Sequence, residues 1–248
     1  MRAVAEPTGV HSRRAMIRAA AAAGAVAWTA PVIVDSVTSP AAAASCTVKT
    51  LNWNSFSSGT TFTSGSVGGV TVTVARTLFT GTTELATNKT IRAAPNGSLA
   101  TQQALQFQQL PDAVGVGQTI AITFSASVTK VTFALFDIDN LVGGWGDRVS
   151  FSGTPATGGP TVGPLPTTIT TTNAAWTPTS SHVTGLATSA SPLLGSDPNT
   201  NLGDSSALGN VTLSFAGPLT AVVFNYKNAV NTGGGNMRIG LGPISFCS

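Results

Sequence analysis

The segment "KVTFALFDID" (residues 130–139) alternates apolar side chains with small or polar ones and then ends in two aspartates. Val131, Phe133 and Leu135 fall on one face, because successive side chains of a strand point to opposite sides of the sheet. Strict alternation over such a length is typical of a half-buried strand. The segment therefore predicts a β-strand that packs one face against a core.

The same alternation recurs through the rest of the chain, and clusters of Gly, Pro, Asn and Asp separate the runs. The other strong runs are "GVTVTVAR" (69–76), "TIAITFS" (119–125), "RVSFSG" (148–153), "NVTLSFAG" (210–217), "TAVVFNYKN" (220–228) and "MRIGLGPISF" (237–246). Weaker runs lie at residues 48–53, 167–172 and 183–187.

No amphipathic helix of ordinary length follows residue 45, and only "LATQQALQFQQL" (residues 99–110) fits either a short helix or a strand. Many short strands without helices leave two sheets packed face to face as the stable arrangement. We therefore predict an all-β fold, an antiparallel two-sheet β-sandwich or jelly roll of about eight to ten strands.

Residues 1–45 differ in composition from the rest of the chain. "SRRAMIR" (12–18) precedes sixteen mostly apolar, alanine-rich residues, and "SPAAAASC" (39–46) follows them. The stretch resembles a twin-arginine export signal, in which Arg13 and Arg14 are the paired arginines. A transmembrane anchor is the alternative, but sixteen such residues are too few to span a bilayer.

The resemblance implies an export signal over residues 1–45 that is cleaved near its end. It implies a secreted or cell-surface protein with no membrane span after cleavage. The strand pattern and the length predict a single β-sandwich domain over residues 46–248. The leader holds four of the twelve Lys and Arg residues and two of the nine acidic residues, so eight basic and seven acidic residues remain. A net charge of +1 on that part argues against nucleic acid as a partner.

The chain has two cysteines, Cys46 and Cys247, at the two ends of the predicted mature part. An even number of cysteines in an exported protein favours a disulfide bond. The alternative is a lipoprotein, because "AASC" loosely fits a lipobox in which Cys46 would be acylated. Such boxes usually have leucine where Ala43 stands, so we predict the disulfide.

Three aspartates, Asp137, Asp139 and Asp147, lie in "FDIDNLVGGWGDRVSFSG" (residues 136–153). By alternation the first two share a face, and a hairpin after them would bring Asp147 alongside. Three carboxylates with loop carbonyls are the oxygen ligands that calcium requires, although the EF-hand pattern is absent. The alternative is structural: the carboxylates accept backbone N–H bonds in the turn, and one pairs with Arg148.

Trp145 lies on the same glycine-rich loop, between Asn140 and Asp147. An aromatic face beside polar loop groups is typical of sites where sugar rings stack. We therefore predict Asn140 and Trp145 as ligand-binding residues, with an extracellular glycan or a surface protein as partner. The alternative is that Trp145 closes one end of the sandwich.

Two parts of the chain form a familiar pattern: the strand ending in "FDIDN" with its glycine-rich loop and "WGDRVSFSG", and the closing segments "VTLSFAGPLTAVVFNYKN" and "GGGNMRIGLGPISF". This pattern resembles one that recurs in secreted bacterial β-sandwich surface domains of jelly-roll or lectin-like type. The resemblance implies a surface or secreted module, and such modules mostly have no assigned activity.

Patterns for catalysis are weak. His182 is the one histidine after the leader, which excludes a multi-histidine metal site, and Glu84 is the one glutamate there. "GDSSALG" (203–209) lacks the second glycine of the serine-protease motif. We predict an exported, non-enzymatic protein that acts at or outside the cell surface by binding or structurally. The alternative is a secreted polysaccharide-active enzyme.

Overall fold

The computed structural model describes residues 46–141, 144–171, 193–194, 199–200, 206–207, 209–229 and 235–248. The predicted export signal, with Arg13 and Arg14, lies outside these ranges and stays a prediction. The weak run at residues 183–187 and His182 also lie outside them.

The described residues form sixteen strands, thirteen of them with three or more residues, and one 3-10 turn at Trp53–Ser55. The strands are β1 (Val48–Leu51), β2 (Ser64–Val67), β3 (Val70–Leu78), β4 (Thr82–Glu84), β5 (Thr90–Arg92), β6 (Ala104–Pro111), β7 (Gly117–Phe136), β8 (Asn140–Leu141), β9 (Trp145–Ser150), β10 (Thr168–Thr171), β11 (Leu193–Leu194), β12 (Asn199–Thr200), β13 (Val211–Phe215), β14 (Leu219–Asn228), β15 (Met237–Leu241) and β16 (Ile244–Cys247). The all-β, antiparallel prediction is confirmed. The count exceeds the predicted eight to ten, because three-residue strands such as β4 and β5 are too short to show alternation.

Strand β7 is twenty residues long and belongs to both sheets. Its first half pairs with β3 and β14, and its second half pairs with β13, β15 and β16. The pairing with β14 shifts register between Ala221, opposite Thr123, and Leu219, opposite Val128. A shift of this kind bends a strand, and the bend carries β7 from one sheet to the other.

The first sheet runs β2, β3, the first half of β7, β14, β9 and β11. The second sheet runs β10, β13, the second half of β7, β16 and β1, and β15 continues it to β6, β4 and β5. All these pairs are antiparallel. The predicted inward residues are buried in both sheets, for example Ile122 and Phe224 facing from the first and Phe133 and Leu213 from the second.

The ambiguous stretch at residues 99–110 supplies strand β6 rather than a helix. Leu105 and Phe107 face the core, and Gln106 and Gln108 contact the turn at residues 87–88. Asn88 Oδ1 accepts from the backbone N–H of Gln108 at 3.1 Å, and Gln106 Nε2 donates to Gln108 Oε1 at 2.7 Å. The polar face of β6 is thus covered by side-chain hydrogen bonds.

The predicted disulfide between Cys46 and Cys247 is confirmed, with Cα atoms 5.3 Å apart. It ties the start of the described chain to the last strand, where Val48 of β1 lies opposite Cys247 of β16. The residues that it joins are 201 positions apart in sequence. Among the described residues, no helix is long and apolar enough to cross a membrane.

Candidate functional site

The candidate site lies where β7 ends and the chain leaves the second sheet. Asp137, the first residue after β7, has a left-handed backbone with φ of 67°, which interrupts the alternation of the strand. Ile138 therefore enters the core, while Asp137 and Asp139 lie on either side of it and are only 6% and 4% exposed. The two carboxylates line one cavity, and both are buried.

Two arginines from other strands face Asp137. Arg92 Nη1 of β5 lies 3.6 Å from Asp137 Oδ2, and Arg238 Nε of β15 lies 3.5 Å from the same oxygen. Arg92 also donates to the side chain of Asn96. A buried carboxylate requires cationic or hydrogen-bonding partners. The cations that face Asp137 are Arg92 and Arg238, whereas the sequence had suggested Arg148.

Asp139 and Trp145 are joined across the predicted hairpin. Strand β8 pairs with β9 so that Leu141 lies opposite Trp145, and the indole Nε1 donates to Asp139 Oδ1 at 3.3 Å. The backbone of Gly235 lies on the indole ring, since a Cβ there would come 2.5 Å from Trp145 Cε3. Asp139 and Gly235 together fix the orientation of the half-buried ring.

Asp147 lies behind this pair and is fully buried. Its Oδ1 accepts from the Tyr226 hydroxyl at 2.7 Å, and its Oδ2 accepts from the Asp139 backbone N–H at 3.1 Å. Burial, followed by the nearby charge of Asp139, raises the pKa of Asp147 well above its usual range. Burial and then Asp147 likewise raise the pKa of Tyr226. Asp147 thus supports the hairpin and does not line the cavity.

The cavity in front of Asp139 has a volume of about 240 Å³. It is lined by Gln108, Asp137, Asp139, Trp145, Asn236 and Arg238. Arg238 of β15 lies directly opposite Gln108 of β6, and Gln108 Nε2 donates to Asn236 Oδ1 at 2.5 Å. The wall therefore offers carboxylate acceptors, amide and guanidinium donors, and one aromatic face.

These contacts fit a calcium site poorly. Calcium in proteins takes about six to eight oxygen ligands. Here Asp137 faces two guanidinium groups, and both oxygens of Asp147 already accept hydrogen bonds. In the part of the chain that the structure describes, no group of three or more His, Cys, Asp and Glu side chains is placed to hold a metal. Calcium at Asp137, Asp139 and Asp147 stays a prediction, and the structural alternative agrees better with the geometry.

Of the two predicted ligand-binding residues, the structure describes the side chain of Trp145 only. Trp145 lines the cavity and also packs against the edge of the core. Asn140 lies in β8, where its backbone pairs with Gly146 and Thr200, and its side chain is outside the described part. Of the two, Trp145 is the residue that the structure brings to the candidate site.

Sequence reasoning missed Arg92, Gln108, Tyr226, Asn236 and Arg238. A signal existed for Tyr226, the one tyrosine of the chain, because alternation places it on the core face beside Phe224. A phenol directed into a core requires a polar partner. Of the other four, Arg92 comes from β5, Gln108 from β6, Arg238 from the start of β15 and Asn236 from the position just before it, and the order of these strands in the sheet brings them together.

Comparison of the chain with protein-family models, with curated proteins and with solved structures finds no match. The proposals that follow therefore rest on the sequence and on the geometry of the described residues.

Proposed function

We propose that the chain is an exported binding protein that holds a saccharide in the cavity beside Trp145 and performs no chemistry on it. The observation that carries this proposal is the indole of Trp145, which Asp139 and Gly235 hold in place and which forms an aromatic wall of a small polar cavity. The C–H face of a sugar ring packs on such an aromatic face, while its hydroxyls need donors and acceptors at the edge.

The other walls supply those groups. Asp139 and Asp137 offer acceptor oxygens, and Arg238 and the amides of Gln108 and Asn236 offer donors. The cavity volume of about 240 Å³ lies below the usual range for drug-sized ligands. We therefore expect it to take one sugar residue or the end of a glycan chain, with a modest affinity that bridging waters assist.

The proposed location is outside the cytoplasm, either secreted or at the cell surface. Two features support it: the resemblance of residues 1–45 to a twin-arginine signal, and the disulfide between Cys46 and Cys247. Disulfides persist in oxidising compartments and are rare in the cytosol. A surface protein as partner is the alternative to a glycan.

A polysaccharide-active enzyme needs a carboxylic acid that holds a proton next to the substrate. Asp147 has the raised pKa that such a role requires, but it is fully buried behind Asp139 and lines no part of the cavity. Asp137, which does line the cavity, faces two arginines, which favour its charged form. The geometry therefore supports binding better than hydrolysis.

The experiment is a retention assay of the exported protein on insoluble chitin, cellulose and cross-linked amylose, with reducing-sugar release measured on the same samples. We expect retention on one of the three without release of reducing sugar. Trp145→Ala should abolish retention, whereas Phe56→Ala, which truncates a half-buried aromatic beside Trp53 and Phe62, should keep it. Release of reducing sugar would support the enzyme, and retention of Trp145→Ala would contradict the site.

A further inference from the structure

A second cavity lies on the outer face of the second sheet and is separate from the cavity beside Trp145. Its volume is about 450 Å³, within the usual range for small-molecule sites. The outward side chains of β7 at Thr132, Ala134 and Phe136 line it, together with the turn of residues 97–99. The two cavities share no lining residue, so this inference does not depend on the proposed saccharide site.

The chemistry of this second cavity is apolar and uncharged. None of the described residues that line it carries a charge, whereas the cavity beside Trp145 has two carboxylates and a guanidinium group. Leu99 stands in its wall with 51% of its surface exposed, while Phe136, which also lines the cavity, is 3% exposed. A half-exposed leucine next to an apolar cavity leaves apolar surface that a bound molecule would remove from water.

The turn of residues 97–99 is held in place by Phe136 and Asn210. Gly97 has φ of +59°, and a Cβ there would lie 2.5 Å from the Phe136 ring and 2.9 Å from the Asn210 amide nitrogen. Asn210 Nδ2 donates to the Gly97 carbonyl at 2.9 Å. The turn is thus held against Phe136 and Asn210, which gives the cavity a defined wall.

One polar atom in this wall has no hydrogen-bond partner among the described residues. Asn210 is 6% exposed, and its Oδ1 accepts no hydrogen bond from any described residue. A buried acceptor without a donor is unfavourable by the free energy of its lost hydration. A ligand that brings an O–H or N–H to Asn210 would remove this penalty.

We infer that this second cavity binds an uncharged, mainly apolar small molecule that carries one hydroxyl or N–H donor. The volume, the uncharged wall, the exposed Leu99 and the unpaired oxygen of Asn210 agree on that chemistry. We expect charged compounds not to bind, because the described residues of the wall offer no opposite charge to offset their desolvation.

The test uses three related probes, 2-naphthol, naphthalene and 2-naphthoate, titrated into the exported protein and followed by NMR chemical-shift changes. We expect saturable binding of 2-naphthol, binding of naphthalene that is about tenfold weaker for lack of the donor, and no binding of 2-naphthoate. Equal affinity for naphthol and naphthoate, or no saturable shift with any of the probes, would overturn the inference.

Two variants locate the site. Ala134→Trp fills the cavity from its β7 side and should abolish 2-naphthol binding. Leu99→Ser should weaken binding about fivefold, and Val114→Ser, which changes another exposed apolar residue away from the cavity, should leave it unchanged. If Ala134→Trp fails to fold, the comparison of Leu99→Ser with Val114→Ser decides alone. Unchanged binding in Leu99→Ser, or an equal loss in Val114→Ser, would overturn the inference.

Discussion

The hydroxyl of Tyr226 donates a hydrogen bond of 2.7 Å to Oδ1 of Asp147, and both side chains are fully buried. Tyr226 lies in β14 of the first sheet, and Asp147 lies in β9 beside it. Because Asp147 also accepts from the backbone of Asp139, this pair links the core of the sandwich to the wall of the cavity. We infer that the pair holds the Asp139–Trp145 hairpin in position.

Tyr226→Phe should lower the free energy of unfolding by about 1–3 kcal/mol, because it leaves a buried carboxyl oxygen without its donor. Urea denaturation measures the change. Thr82→Val is the control, since it removes one part-buried hydrogen bond of 2.8 Å to a neutral acceptor, the Gly117 carbonyl. A Tyr226→Phe loss no larger than that of Thr82→Val would contradict the structural importance given to Asp147.

Asp147 predicts a specific dependence of stability on pH. Its pKa is raised in the folded state by burial and by Asp139, so the folded protein binds its proton more tightly than the unfolded chain. The contribution of Asp147 to stability is fully present at a pH below 3.8, the ordinary pKa of an aspartate. It is lost as the pH rises from there through the pKa of the folded state. Urea unfolding of the wild type and Asp147→Asn over a pH series measures it.

The difference in unfolding free energy between wild type and Asp147→Asn should decrease as pH rises through that window. The variant serves as the reference because it lacks the titrating carboxyl group of Asp147. A difference that stays constant, or that increases with pH, would show that the pKa of Asp147 is not raised in the folded protein.

Cys46→Ser combined with Cys247→Ser should lower the unfolding free energy by up to about 5 kcal/mol, because the bond closes a very long loop of the unfolded chain. Thermal unfolding of the oxidised protein, of the reduced protein and of the double variant measures this. Mass spectrometry of the exported protein serves as control. Two free thiols, or a diacylglycerol group on Cys46, would contradict the disulfide.

A chelator should leave the melting temperature unchanged. Asp137 already faces Arg92 and Arg238, and Asp147 faces Tyr226, so neither carboxylate is free to coordinate an ion without breaking these contacts. Thermal scans with millimolar calcium and with excess EDTA test this. A higher melting temperature in calcium would support the predicted ion, through the stabilisation that any ligand of the folded state gives.

Periodicity predicted the strands well because both sheets bury one face, and one buried face imposes alternation on each strand. The runs at residues 119–125 and 130–139 were predictable as strands but not as the two halves of β7. The exposed residues 125–127 between them are those expected of a turn, yet the backbone stays extended and bends. Continuity of this kind depends on the partner strand β14, which the local pattern does not reveal.

The candidate site was predicted in part. The aspartates, Trp145 and the hairpin between them lie close together in sequence, so local patterns indicated them. Arg92 comes from the three-residue strand β5, and its approach to Asp137 depends on the order β5, β6, β15 and β7 in the sheet. By alternation Asp137 and Asp139 were predicted to share a face, and the left-handed backbone of Asp137 sends Ile138, the residue between them, into the core.

The most direct measurement of the proposed function follows the indole N–H resonances of Trp145 and Trp53 while chito-, cello- and malto-oligosaccharides are titrated into the exported protein. Trp53 is fully buried in the core and serves as the internal reference. The proposed site predicts that one oligosaccharide series shifts the Trp145 resonance saturably and leaves that of Trp53 unchanged. A Trp145 resonance that none of the three series moves, or binding that shifts other residues only, would contradict it.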